Sequence, residues 1–104
     1  MQKVLIDQFT VPDESRAAFL GVSRTIQDIL KVLPGFIEGF VYERREGSGP
    51  FNVITTAVWK DGEAFDAAKG RVAQELQALG VNPAEKMRAL NVQLARGVYE
   101  RTSY

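Results

Sequence analysis

Apolar residues recur along this chain with two different periods. In Val4-Leu5-Ile6-Asp7-Gln8-Phe9-Thr10-Val11 they are dense, short in run and rich in β-branched and aromatic types, which predicts a strand. Pro12-Asp13 ends that run, and Asp13 is placed to cap a following helix. There Phe19, Val22, Ile26, Ile29, Leu30 and Leu33 recur at steps of three and four, a single apolar stripe facing a core. Pro34-Gly35 stops the helix. Phe36 to Glu43 predicts a second strand, Glu46-Gly47-Ser48-Gly49-Pro50 a hairpin turn, and Phe51 to Trp59 a third strand. Asp61 is placed to cap a second helix, with Phe65, Ala68, Val72, Leu76 and Leu79 on its inner face and Gly80 at its end. Asn82-Pro83-Ala84-Glu85 combines a cap, a first-turn proline and a following glutamate, and predicts a helical turn or two through Met87. Leu90 to Arg101 predicts the last strand.

The order strand, helix, strand, strand, helix, strand predicts an α+β, ferredoxin-like βαββαβ sandwich with a four-stranded antiparallel sheet. Helices can cover only one face of such a sheet, and the other face is expected to be polar. These strands are apolar on both faces. Val4 and Ile6 oppose Leu5, Phe9 and Val11; Ile54 and Val58 oppose Val53, Ala57 and Trp59; Leu90, Val92, Leu94 and Val98 oppose Ala95 and Tyr99. The simplest cover for a second apolar face is the same face of another copy, so a homodimer is expected. The alternative is an open face screened by long polar side chains. A charge at Val92 or Leu94 is expected to disturb folding or assembly.

Composition narrows the chemistry. A length of 104 residues fits one domain over residues 1–104. Thirteen basic and thirteen acidic residues balance, so the electrostatic footprint of a nucleic-acid binder is missing. The run Met1-Gln2-Lys3 passes straight into strand pattern, and no apolar stretch approaches twenty residues, so no leader or membrane span is expected and a cytoplasmic location is. There is no cysteine and no histidine. Disulfides, thiolate sites, cysteine nucleophiles and Ser-His-Asp triads are excluded, and neither a metal nor another cofactor is expected.

Three segments together resemble the antibiotic biosynthesis monooxygenase family of dimeric α/β barrels. They are Asp7-Gln8-Phe9-Thr10-Val11-Pro12 on the first strand, Leu33-Pro34-Gly35-Phe36 at the helix exit, and Phe51-Asn52-Val53 through Val58-Trp59-Lys60-Asp61-Gly62-Glu63-Ala64. The resemblance implies a sheet-to-sheet dimer. It also implies dioxygen chemistry on aromatic polyketides without metal or flavin; other members degrade haem or act on quinols. Haem-degrading members carry a histidine on the second helix, where this chain reads Asp66-Ala67-Ala68-Lys69. Many members carry asparagine where this chain has Asp7.

Each candidate residue has a structural reading beside a functional one. Trp59 is either a core ring or an N–H donor aimed at a substrate oxygen. Asp7 is either paired with a cation such as Arg71 or Lys69 of the second helix or solvated at the barrel mouth, or it is a general base that removes a phenol proton. Tyr42 and Tyr99 line a cavity or belong to a dimer interface. Arg71 borders the apolar stripe and either anchors an anionic oxygen or is solvated. Phe65, with Phe19, Phe36 and Phe40, is core or pocket wall. The function expected is a cofactor-independent monooxygenase acting on an electron-rich aromatic or quinol. In that reading Asp7 and Trp59 are catalytic, and Tyr42, Arg71, Tyr99 and Phe65 contact a small aromatic molecule. The alternatives are a non-catalytic ligand-binding module and an oxygen-independent isomerase or lyase on the same fold.

Overall fold

A computed structural model describes residues 1–103. It contains strands β1 (Lys3–Thr10), β2 (Phe36–Glu43), β3 (Val53–Trp59) and β4 (Gln93–Tyr99), and helices α1 (Arg16–Leu30), α2 (Gly62–Ala78) and α3 (Pro83–Ala89). The strands form one antiparallel sheet in the order β2-β3-β1-β4. This is the ferredoxin-like arrangement, with α3 added before the last strand.

Element ends follow local chemistry. Asp61 Oδ1 accepts from the Ala64 N–H at 2.8 Å, and Asn82 Oδ1 accepts from the Glu85 N–H at 3.1 Å, so both expected caps form. Asp13 does not cap α1. Residues Asp13–Ser15 make a 3₁₀ turn after Pro12, and Ser15 precedes α1 without a side-chain capping bond. The Ser15 hydroxyl instead donates to the Leu90 carbonyl at 2.7 Å and ties the turn to the end of α3. Both α2 and α3 close in Schellman geometry. The Val81 N–H donates to the Leu76 carbonyl and the Val92 N–H to the Met87 carbonyl, each at 2.9 Å. Gly80 (φ 71°) and Asn91 (φ 57°) supply the left-handed residue. That second closure keeps Leu90 and Val92 out of the last strand, which starts at Gln93 and not at Leu90. β3 starts at Val53 because the Asn52 side chain replaces a strand bond. Its Oδ1 accepts from the Val11 N–H at 2.9 Å and its Nδ2 donates to the Val11 carbonyl at 2.8 Å.

The core has two centres, both between the sheet and the helices. Trp59, Ala57, Leu30, Leu33, Phe65 and Ala68 form one; Phe9, Val11, Phe19, Val53 and Val92 form the other. Leu79, expected on the inner face of α2, is exposed beyond the last turn of the helix. Alternation along the strands places Val4, Ile6, Ile54, Val58, Phe40, Tyr42 and Tyr99 on the opposite face. No helix among the described residues lies there, and Phe40, Tyr42 and Tyr99 are each about half exposed. The helices also stop short of β4, so Leu94 and Val98 are exposed although they pair with Phe9 and Leu5 on the helix-facing side. No helix among the described residues is long and apolar enough to cross a membrane.

Candidate active site

A cavity of about 300 Å³ lies between the sheet and α1–α2, lined mainly by apolar side chains. That is the lower end of the range for small-molecule sites, about 300–1,000 Å³. Leu5, Asp7 and Phe9 reach it from β1, Thr55, Ala57 and Trp59 from β3. Helix α1 supplies Ser23 and Gln27, and α2 supplies Phe65 and Lys69. Leu94 and Arg96 of β4 complete the wall.

Among the described residues Asp7 is the one buried carboxylate, with the apolar Leu5 and Phe9 on either side of it on the same face of β1. Its partner is neither Arg71 nor Lys69, the cations expected from the second helix, but Arg96. The two are register partners across β1 and β4. Arg96 Nε donates to Asp7 Oδ1 and Nη2 donates to Oδ2, each at 2.8 Å. This is the bidentate geometry in which an arginine–carboxylate pair is strongest. The hydrogen bond to Asp7 raises the Arg96 guanidinium above its ordinary value, although partial burial works against the charge. Lys69 is occupied elsewhere: its Nζ stands 3.5 Å from Asp66 Oδ1 and 4.6 Å from the Phe65 ring centroid. Arg71 points along the outer surface of α2 toward Glu75, 4.0 Å away, and borders a separate depression with Lys60 and Glu63.

Trp59 is 2 % exposed, with its ring edge-to-face on Phe36 at a centroid distance of 5.3 Å. Its Nε1–H is buried and has no hydrogen-bond partner among the described residues. The Oε1 of Gln27 is in the same condition. The two are complementary in kind, a donor from the sheet and an acceptor from α1, and both residues line the same cavity. A buried polar atom left unpaired costs about 1–3 kcal/mol, so such atoms concentrate where a ligand or water completes them. Gln27 reaches its position because residue 39 is glycine: a Cβ there would lie 2.7 Å from Gln27 Oε1.

Of the residues singled out by sequence, Asp7, Trp59 and Phe65 come together at this cavity. Tyr42 and Tyr99 do not; they stand on the uncovered sheet face, where the Tyr99 ring lies over Gly97. Arg71 is also outside it. Sequence reasoning passed over Arg96 and Gln27. A polar residue between Ala95 and Gly97 on an edge strand looks like a solvated position, and Gln27 looks like the polar flank of an amphipathic helix. The usable signal for Arg96 was Asp7 itself, since a buried carboxylate in a strand requires a cation on a neighbouring strand or helix.

The likeness to known proteins covers most of the chain. The model of the antibiotic biosynthesis monooxygenase family matches residues 4–75. No curated protein sequence matches the chain. Among solved structures, SnoaB, a cofactor-independent oxygenase from Streptomyces nogalater, is 21 % identical with a TM-score of 0.71, over 99 % of this chain and 95 % of its own. A conserved protein from Methanosarcina mazei Go1 is 18 % identical with a TM-score of 0.69, over 97 % and 92 %. Rv0793 from Mycobacterium tuberculosis is 13 % identical with a TM-score of 0.69, over 100 % and 98 %. At such identities the structural likeness establishes the shared fold, and the family match over the first strand, both main helices and the hairpin establishes descent. The chain belongs to the antibiotic biosynthesis monooxygenase family.

Proposed function

We propose that this protein is a cofactor-independent monooxygenase that oxidises an electron-rich phenol, anthrone or quinol with dioxygen, working as a cytoplasmic homodimer of one domain. The observation that carries the reading is the apolar cavity with Asp7 and the unpartnered Trp59 N–H in its wall. The substrate supplies the reducing power. Asp7 takes the phenolic proton, and the resulting anion passes one electron to dioxygen. The radical pair combines into a C–O bond, Asp7 returns its proton to the terminal peroxide oxygen, and cleavage of the O–O bond with loss of the C–H proton releases water and leaves a quinone. One substrate and one O₂ thus give one quinone and one H₂O. The protein contributes exclusion of water, a base, and a donor for the developing oxyanion. Trp59 supplies that donor through its unpartnered N–H, and Phe65 forms part of the wall against the aromatic rings.

The test is incubation with naphthols and anthrones under air and under nitrogen. Oxygen uptake matched by quinone formation is expected; turnover indifferent to oxygen would replace this reading with an isomerase or lyase. A second reading, a non-catalytic ligand-binding module, is favoured by one observation: both Asp7 oxygens already accept from Arg96. Saturable binding without turnover would select it.

The uncovered sheet face supports assembly. Phe40 and Tyr42, with centroids 6.1 Å apart, and Tyr99 extend an apolar surface across β2, β3, β1 and β4. Such a surface is matched by its own copy about a two-fold axis.

A further inference from the structure

We propose that Arg96 is the anion-docking residue of the cavity, shared between Asp7 and the oxygen of an acidic phenol or enol. The inference rests on the oxygenase reading and specifies the ligand feature that the site recognises. A guanidinium carries five N–H donors in a fixed fork. Arg96 uses two of them on Asp7, from Nε and Nη2. The remaining three have no partner among the described residues, and the side chain is 59 % exposed against 8 % for that of Asp7. Arg96 therefore presents free donors at the cavity wall while covering the one buried carboxylate. Leu94 and Val98, which flank Arg96 on the same face of β4, are about half exposed, so Arg96 lines the cavity at its open, solvent-accessible side. Lys69, the other cation on the wall, is held by Asp66 and the Phe65 ring.

This arrangement solves a charge problem. A proton moving from a phenol to a buried carboxylate normally leaves one bare anion for another. Here the O–H bond of the ligand breaks, an O–H bond forms on Asp7, and the guanidinium keeps an anion beside it throughout. Before transfer the anion is the carboxylate; afterwards it is the phenolate. No charge is created or left unpaired in the apolar wall. An ether or hydrocarbon of the same shape gains nothing from Arg96, so the site discriminates for an ionisable oxygen.

The test measures binding in the absence of oxygen. The intact protein is titrated under nitrogen with 4-nitro-1-naphthol, whose anion has its own visible absorption, and with 1-methoxy-4-nitronaphthalene as the shape control. The wild type should bind the naphthol in preference to the ether and lower the pH at which the bound naphthol ionises. Arg96→Met should weaken naphtholate binding by about tenfold or more, the usual worth of a charge-assisted contact, and leave the ether unchanged. Asp7→Asn should act in the opposite sense and strengthen naphtholate binding, because Arg96 then has no other counter-charge. Arg96→Lys keeps the charge for the case in which the Met variant fails to fold, and should retain part of the preference. A naphthol-to-ether ratio that is equal in the wild type and the folded variants overturns the proposal. Turnover under air is scored separately, so loss of the oxygenase reading leaves these binding curves interpretable.

Discussion

Asp7 and Arg96 are direct register partners on neighbouring strands, and the arginine closes both of its strong bonds on a carboxylate far less exposed than itself. The asymmetry makes the two halves of the pair unequal. Arg96→Met leaves a carboxylate without its cation in an apolar wall, a change that costs about 3–5 kcal/mol when fully buried and less here, because Arg96 faces solvent. Asp7→Asn leaves an arginine that water can solvate. Thermal unfolding of the two variants should therefore show the larger loss for Arg96→Met. Equal losses in the two variants would contradict this account.

For catalysis the same residue is read through rate. Asp7→Asn should lower turnover by about 10²–10⁴, the range for general base catalysis. Trp59→Phe keeps the aromatic packing on Phe36 but removes the N–H, and should cost about 10²-fold or more if that donor meets the oxyanion. Rate and thermal midpoint are to be measured on the same samples. Full activity of both variants on an authentic substrate would remove them from the site.

The acid limb of stability should carry a contribution from α1 and β2. Arg16 Nε and Nη2 donate to the two Glu43 oxygens at 2.6 and 2.8 Å, and the hydrogen bond holds the Glu43 carboxyl below its ordinary value. A folded-state value lowered in this way stabilises the fold above the unfolded carboxylate range, about pH 4.3, and the gain is lost as pH falls through the folded value. Glu43→Gln should be slightly less stable than wild type at neutral pH. The two curves should converge in acid. The solvent-exposed position keeps the difference small and sensitive to salt.

Assembly gives a further measurement. Sedimentation at micromolar concentration should report about twice the chain mass. A charge at Phe40 or Ile6 should give a folded monomer, since both project from the uncovered face. The positions that sequence suggested for this probe behave differently. Val92 is buried in the second core centre, where a charge would unfold the chain, and Leu94 faces the cavity side. A monomeric wild type would refute the dimer.

Glycine 35 closes the exit of α1 with φ 81°, and an added Cβ would collide with the Ala64 side chain on α2. Gly35→Ala combines a left-handed backbone with a steric clash. It should lower stability by about 1–3 kcal/mol, read as a shift of the denaturant midpoint. An unchanged midpoint would show that the α1–β2 corner can relax.

Sequence alone determined the order of elements, the caps at Asp61 and Asn82, the stop at Gly80 and the two-faced apolar strands, because each depends on residues within a few positions of one another. It also excluded histidine and cysteine chemistry outright. The motifs on the first and third strands were enough to place the chain beside its family. What tertiary structure decided depends on separations that no local rule spans. Asp7 and Arg96 are 89 residues apart and meet only through the β1–β4 register. The Schellman closure after α3 delays the last strand and thereby fixes that register face. Tyr42 and Tyr99 left the site because alternation from Val53 and Phe9 puts them on the other side of the sheet. Gln27 entered it because Gly39, the register partner of Ala57 on β3, leaves space for its amide. Periodicity tells which residues share a face, whereas pairing across the sheet decides which faces meet and which polar groups are left to find one another in the cavity between them.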